Sequence, residues 1–329
     1  MPPRRTLTIR RESFPIRGTF RISRGAKTEA LVVTAEIGQD GLVGRGECVP
    51  YQRYGETVEN IIGTLEDLAE PVAAGLDRLA LLDALPAGAA RNALDCALWD
   101  LEAKLAGRPA WQLAGLAEPQ PLTTCFTLSI EAPAQMGAAA AAAAMPILKL
   151  KLAGDGDDPA RVAAVRAAAP AARIVLDANE AWDLDTLRRE ASLYSDLGVE
   201  LIEQPLPAAA DAALQGYRSP VPLAADESCH GTDCLDRIVG RYQTVNLKLD
   251  KTGGLTAALA LKRQAEAAGL GIMVGCMVAT SLAMAPAVLL AQGAAYVDLD
   301  GPLLLARDRD PGLVFHDATV FPPRPALWG

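Results

Sequence analysis

ILKLKL (147–152) is an apolar run of strand length in which Lys149 and Lys151 stand two apart. Side chains two apart on a strand point the same way, so the two lysines project together. The plan recurs down the chain. ARIVLDA (172–178) closes with Asp177, GVELIEQP (198–205) with Glu203, VPLAADES (221–228) with Asp226 and YQTVNLKLD (242–250) with Lys248. GIMVGCM (271–277) and AAYVDLD (294–300) follow, carrying Cys276 and Asp298. From Lys151 onward successive markers lie 22 to 28 residues apart, about the length of one βα unit. Ala/Leu/Arg-rich stretches of helical pattern separate them, over 159–169, 185–197, 234–239 and 255–268. With TTCFTLSI (123–130) upstream the count is eight strands, which predicts a closed (β/α)8 TIM-type barrel with the charged residues on its strand-end rim. A doubly wound open sheet would carry a Gly-rich phosphate turn after its first strand, and none is present.

A barrel commonly takes about 250 residues, and this chain has 329. The expected layout is an N-terminal α+β capping domain over 1–120, a barrel over 121–300 and a C-terminal tail over 301–329 that packs back on the cap. The cap reads as a meander, TLTIRRESFPI, EALVVTAEI and LVGRGECVP, followed by helices over 57–74 and 89–105. Pro119-Gln120-Pro121 marks the junction.

A formal charge of −9 argues against nucleic acid and anionic membrane as partners, since both need clustered Lys/Arg, and points to a small-molecule substrate. Six cysteines without a CxxC pair argue against zinc and suit a reducing compartment. The N-terminal MPPRRTLTIRR has no apolar core, so no signal peptide is read and a cytoplasmic protein is expected. Leu270 to Val297 carries no charge, but Gly271, Gly275, Pro286 and Gly293 interrupt it. It parses as strand, buried helix and strand. The alanine tract 138–144 reads as the first barrel helix.

Two ammonium groups as close as Lys149 and Lys151 repel, and repulsion with desolvation lowers the pKa of one toward use as a base. On an exposed edge the same KxK would be a solvated pair; inside a buried barrel strand it is not. Asp177, Glu203 and Asp226 fall on strands three, four and five, so they converge, and convergence without counter-charge implies a hard divalent cation. All-oxygen ligation suits Mg2+, with Mn2+ as a substitute. Asp226 alone also reads as a helix N-cap. Strands two and six are diametrically opposed in a ring of eight, which puts Lys151 and Lys248 on opposite faces of whatever the cation holds.

These lysines, the Asp/Glu/Asp set and the phrase VNLKLDKTGG (245–254) resemble the enolase superfamily, specifically its muconate-lactonizing subgroup, over nearly the whole chain. The resemblance implies abstraction of a proton α to a carboxylate through a metal-stabilised enediolate, with Lys151 and Lys248 as the two bases and Asp177, Glu203 and Asp226 as ligands. At the end of strand eight Asp298-Leu299-Asp300 resembles the pair that binds the substrate ammonium in dipeptide epimerases; a capping role or pairing with an arginine such as Arg307 is the alternative. Strand eight lies opposite strand four and thus away from the metal. FRISRG (20–25) falls in an expected cap loop and is similar to the segment whose arginine faces the acidic side chain in L-Ala-D/L-Glu epimerases, which would make Arg24 a carboxylate reader, or else an exposed arginine without a role. Thr127, Lys149 and Cys276 match positions lining the dipeptide site, although a buried Cys276 is also ordinary packing. Tyr51 and Tyr54 are expected in a second cap loop over the site. The resemblance thus implies a Mg2+-dependent dipeptide epimerase of peptidoglycan turnover, with a homo-oligomer left open. The alternatives are an N-acylamino acid racemase, a muconate-type cycloisomerase and a non-catalytic barrel.

Overall fold

The structure is a computed structural model that describes residues 4–329. Its central element is a single sheet of eight parallel strands in sequential order: Phe126–Leu128, Ile147–Lys151, Arg173–Asp177, Val199–Glu203, Leu223–Ala225, Thr244–Leu247, Gly271–Val274 and Tyr296–Val297. The ring closes where Cys125 N donates to Val297 O at 2.7 Å, joining the first strand to the eighth. The spacing of the strand-end markers therefore predicted the barrel correctly.

Alternation along these strands stacks two inward layers. Ile147, Val175, Leu201, Ala224 and Met273 form a buried apolar plug. Two residues further along three of those strands come Lys149, Asp177 and Glu203, so the same inward face carries the charges one layer above the plug. The plug keeps water out from below.

Helices flank the strands where the periodicity placed them, at Asp158–Ala168, Leu184–Asp196 and Leu255–Ala267. Asp183 caps the second of these by accepting from Thr186 N at 2.8 Å. The 234–239 stretch forms only a short helix, Leu235–Ile238, after a 3-10 turn. The uncharged 270–297 segment divides into strand, the wholly buried helix Ser281–Leu290, and strand. Among the described residues no helix is long and apolar enough to cross a membrane.

The N-terminal part is an antiparallel meander of Thr6–Ile22, Gly25–Gln39 and Leu42–Cys48, covered by the helix Ala89–Ala106. That helix lies directly on the third strand because Gly44 and Gly46 have no side chain there: a Cβ at Gly46 would stand 2.1 Å from Ala93 O, and one at Gly44 2.2 Å from Ala97 O. The helix expected over 57–74 is instead two, Val58–Glu66 and Ala69–Ala73. Pro71 explains the break, since its ring would clash with the carbonyl four residues back. A further helix, Arg78–Ala84, capped by Asp77, was not anticipated. The expected loop at 20–25 is also corrected: Phe20–Ile22 is strand, and only Ser23 and Arg24 turn the hairpin.

Cap and barrel interlock through the VNLKLDKTGG segment. Arg91 of the cap helix donates to Thr252 O at 2.7 Å and Gly253 O at 3.1 Å. Asn92 Nδ2 reaches Asp250 Oδ1 at 2.8 Å, which also accepts from Val49 N. The chain end joins the same helix, with Trp328 Nε1 donating to Cys96 O at 3.0 Å.

Candidate active site

A cavity of about 420 Å3 opens where the cap faces the barrel mouth. Its barrel wall includes Thr127, Lys151, Asp226, Lys248, Asp298 and Asp300; Cys276 lies beside them. From the cap side come Arg24, Lys27, Tyr51 and Tyr54. Lys149, Asp177 and Glu203 lie beneath that floor, each at most 1 % exposed.

The floor is a lattice of alternating charges. Lys151 Nζ stands 2.5 Å from Asp177 Oδ2, and Lys248 Nζ 2.6 Å from Asp226 Oδ2. Gly275 makes room for the second pair: a Cβ there would come within 3.0 Å of Lys248 Cε and 2.7 Å of Asn246 Oδ1. Lys149 Nζ lies 2.7 Å from both Glu203 Oε2 and Asp298 Oδ2 and 3.2 Å from Asp177 Oδ2. This corrects the expected role of Lys149. Ringed by three carboxylates, it does not act as a repulsive neighbour; burial works to strip its proton, but Asp298, Glu203 and Asp177 together hold its pKa well above the ordinary lysine value. One ammonium also joins Asp298 of strand eight to Glu203 of strand four across the barrel. The interior of an eight-stranded barrel is only wide enough for side chains to fill, so opposite strands meet through a single long residue.

The carboxylates differ in their local partners. Asp177 is held below the usual range: burial opposes this, but Lys151, Lys149 and Lys248 outweigh it. Asp226 is held well below the usual range, with Lys248 and Lys251 overriding burial. Glu203 is pushed up to about 7 by burial and by the charges of Asp177 and Asp226, and it accepts its 2.6 Å hydrogen bond from the neutral Asn246 Nδ2. On the eighth strand Asp300 rises to about 7 through burial and the adjacent Asp298, while its Oδ2 accepts from Thr127 N at 2.6 Å. No arginine pairs with Asp298 or Asp300 among the described residues; Asp300 also begins the short helix Gly301–Leu304. Burial, followed by Asp298 and Asp300, drives the Cys276 thiol well above its ordinary value, so it is a neutral wall.

Three carboxylate oxygens in this floor accept no hydrogen bond: Glu203 Oε2, Asp226 Oδ1 and Asp298 Oδ1. Lysines stand 2.7 Å from the first two, but off the line a hydrogen bond requires. Among the described residues no three His, Cys, Asp or Glu groups stand at metal-ligand spacing, and lysines lie between the carboxylates. The donor set still fits a hard divalent cation: it is all carboxylate oxygen, fully buried, with unsatisfied lone pairs on two of the three candidate ligands.

Several residues of the site were not singled out in the sequence. Lys251 is 1 % exposed and donates to Asp226 O at 2.5 Å, Asn246 O at 2.9 Å and Cys229 O at 3.0 Å. Its signal was present, since it lies three residues after Lys248 in the short helix Leu249–Thr252. Asn246 was also legible, two before Lys248 on the same strand face. Glu227 was not: it binds the cap hairpin through Arg24 at 2.6 Å, a contact made only on folding. Arg24 also donates to Asn179 O at 2.8 Å, Tyr51 Oη at 2.9 Å and Glu180 Oε2 at 3.2 Å. Cys229 and Cys234 are bonded in the turn after Asp226, and the other four cysteines are free.

Comparison with known proteins agrees with this geometry. Residues 4–115 match the mandelate racemase / muconate lactonizing enzyme N-terminal domain, and residues 131–325 match the enolase C-terminal domain-like family. The L-Ala-D/L-Glu epimerase of Escherichia coli K12 is 44 % identical over 317 residues, 94 % of this chain and 98 % of that protein. The N-acetyl-D-glutamate racemase of a Pseudoalteromonas species is 44 % identical over 302 residues, 91 % of this chain and 95 % of that one. Among solved structures, an enolase family member from Agrobacterium tumefaciens with bound sodium and L-Ala-L-Glu superposes with a TM-score of 0.97 at 53 % identity, covering 99 % of this chain and 100 % of that chain. The dipeptide epimerase from Methylococcus capsulatus complexed with Mg and L-Arg-D-Lys gives a TM-score of 0.89 at 32 % identity, covering 97 % of both chains. With both of its parts matched and its strand-end charges in place, the chain belongs to the enolase superfamily, in the branch that carries the mandelate racemase / muconate lactonizing enzyme N-terminal domain.

Proposed function

We propose that this protein is an isomerase, a Mg2+-dependent dipeptide epimerase that inverts the α-carbon of the C-terminal residue, with L-Ala-D/L-Glu as the preferred substrate. The observation that carries the reading is the pair of buried lysines at opposite ends of the floor, each next to a candidate ligand: Lys151 at Asp177 and Lys248 at Asp226. One lysine removes the α-proton from one face, and the other returns a proton to the opposite face; exchanging the roles runs the reaction backward. Asp177, Glu203 and Asp226 would hold the cation, which supplies Lewis-acid stabilisation of the negative charge that builds on the substrate carboxylate. Asp298 and Asp300 receive the N-terminal ammonium; the free oxygen of Asp298 supports this role. The apolar plug below keeps water from that side of the floor, which strengthens the charge interactions there. Thr127 fixes Asp300 through its backbone, and Cys276 closes the wall without adding charge. A place in peptidoglycan recycling, and with it a cytoplasmic location, belongs to this reading and rests on the substrate class alone.

A second reading, racemisation of an N-acylated glutamate, is favoured by one observation: Lys149 already pairs with Asp298, which leaves the eighth-strand wall less anionic than two free carboxylates. Proton NMR in D2O with Mg2+ separates the two. Loss of the Glu α-proton of L-Ala-L-Glu with appearance of L-Ala-D-Glu supports the epimerase, whereas exchange confined to N-acetyl-L-glutamate replaces it with the racemase. Loss of exchange on chelation, restored by added Mg2+, tests the cation.

A further inference from the structure

Gln204 directly follows the candidate ligand Glu203 at the end of the fourth strand, and although it is fully buried both polar atoms of its side chain are used. Oε1 accepts from two backbone amides beyond the fifth strand, Asp226 N at 2.9 Å and Ser228 N at 3.1 Å. Nε2 donates to Ser228 Oγ at 2.8 Å and Leu206 O at 2.9 Å, and it lies 3.1 Å from Tyr242 Oη.

The amide of Asp226 depends on that side chain. Strands four and five pair through Ile202 with Leu223 and Glu203 with Ala224, and the last bond of this ladder runs from Gln204 N to Ala224 O at 2.8 Å. On the other flank, the pairing of strands five and six ends at Ala225 with Val245. Asp226 lies one residue past both ladders, so neither supplies its buried N–H with an acceptor. The side-chain carbonyl of Gln204 takes the place of the missing strand. Its backbone is turned at the same point, with φ +37°, in the left-handed region that a residue bearing a β-carbon adopts only under strain.

One side chain therefore couples two of the three candidate ligands, continuing from Glu203 and fixing the backbone that carries Asp226. Lys248 hangs on the same link, since its Nζ stands 2.6 Å from Asp226 Oδ2. Resting on the reading of Asp177, Glu203 and Asp226 as cation ligands, we propose that Gln204 is a positioning residue that sets the spacing of Glu203 and Asp226, and through it the affinity for the divalent cation. It sits behind the cavity wall and has no part in proton transfer.

The test titrates the metal-free full chain with MgCl2 by calorimetry, with no substrate present. Gln204→Met keeps most of the volume and loses the acceptor, and the Kd for Mg2+ should rise about 10- to 100-fold, the range for removing a group that orients a metal ligand. Tyr242→Phe is the control: it removes a hydroxyl that meets Gln204 Nε2 and donates to Asp211 Oδ2 at 3.2 Å, but it leaves the contact with Asp226 N intact. Thermal melts of that variant should show lost stability while its Kd stays near the wild-type value. An equal rise in both variants would mean general loosening and overturns the proposal, as does an unchanged Kd in folded Gln204→Met. Should Gln204→Met not fold, Gln204→Asn, which draws the carbonyl back by one methylene, takes its place under the same two criteria. A wild type that binds no Mg2+ removes the cation reading and this inference together, whereas one that binds Mg2+ but exchanges no dipeptide removes only the dipeptide reading.

Discussion

The floor and the roof of the cavity are made in different ways. Lys151, Asp177, Glu203, Asp226 and Lys248 of the floor stand at or just beyond the ends of parallel strands, are less than 9 % exposed and each have an opposite charge within 3 Å. The roof comes from one hairpin and a short turn of the cap, and its side chains are partly exposed: the Arg24 side chain is 26 % accessible and that of Arg53 40 %. A floor of buried, paired charges holds reacting groups in place, which proton transfer requires. A roof on separate elements can change its side chains without disturbing that geometry. The difference teaches where chemistry and where preference reside in this fold.

Replacing floor residues should hit turnover hardest. Lys151→Ala and Lys248→Ala are each expected to lower epimerisation by about 10²–10⁴-fold, the usual contribution of a positioned proton-transfer group. Because the lysines serve opposite faces, each variant should retain α-deuterium exchange with one epimer only, seen by proton NMR starting from L-Ala-L-Glu and L-Ala-D-Glu separately. Equal residual exchange from both epimers would break the two-face arrangement.

A smaller effect is expected at the wall between floor and roof. Asp298→Asn with Asp300→Asn keeps the shape and removes the charge, and kcat/KM for L-Ala-L-Glu should fall about 10- to 100-fold. N-acetyl-L-glutamate, which has no ammonium, should be affected less. Equal losses on both would show that the pair serves Lys149 and Thr127 instead of the substrate.

The junction of cap and barrel sharpens the comparison through pH. Burial first, opposed by hydrogen bonds from Val49 and Asn92, raises Asp250 from 3.8 to about 7. The folded protein therefore binds a proton there more tightly than the unfolded chain. Stability falls as pH rises between those two values and stays at the lower level above about 7. Asp250→Asn keeps the Oδ1 that accepts both hydrogen bonds and removes the titration. In thermal melts with chelator the variant should gain over the wild type as pH goes from 5 to 8, and a gap that is flat with pH would refute the assignment.

The smallest effect belongs to the roof. Arg53 pairs with Glu180 at 2.8 Å on the outer rim, so Arg53→Ala should cost about 1 kcal/mol or less in chemical denaturation. A larger loss would mean that the roof is as rigidly built as the floor.

Much of the floor was legible because strands encode direction. A lysine or carboxylate at the end of a strand-length apolar run projects into a barrel mouth whatever its neighbours are, and the regular spacing of ILKLKL, ARIVLDA and GVELIEQP made that ring visible. What charges do to one another after converging was not legible. KxK implied repulsion, yet Lys149 is enclosed by Asp177, Glu203 and Asp298 from three different strands. The helix break before Pro71 was encoded locally and overlooked, and Lys251, three residues after Lys248, was overlooked as well.

The sequence by itself determined the barrel, the order of its strand-end charges and the superfamily, because periodicity and spacing are properties of the chain alone. The tertiary structure alone decided which lysine pairs with which carboxylate and that Arg24 is tied to Glu227. Those outcomes depend on distances of a few ångströms between residues as many as 203 positions apart, as Arg24 and Glu227 are. At such separations Coulomb energy and desolvation are set by packing and burial, which no local pattern records.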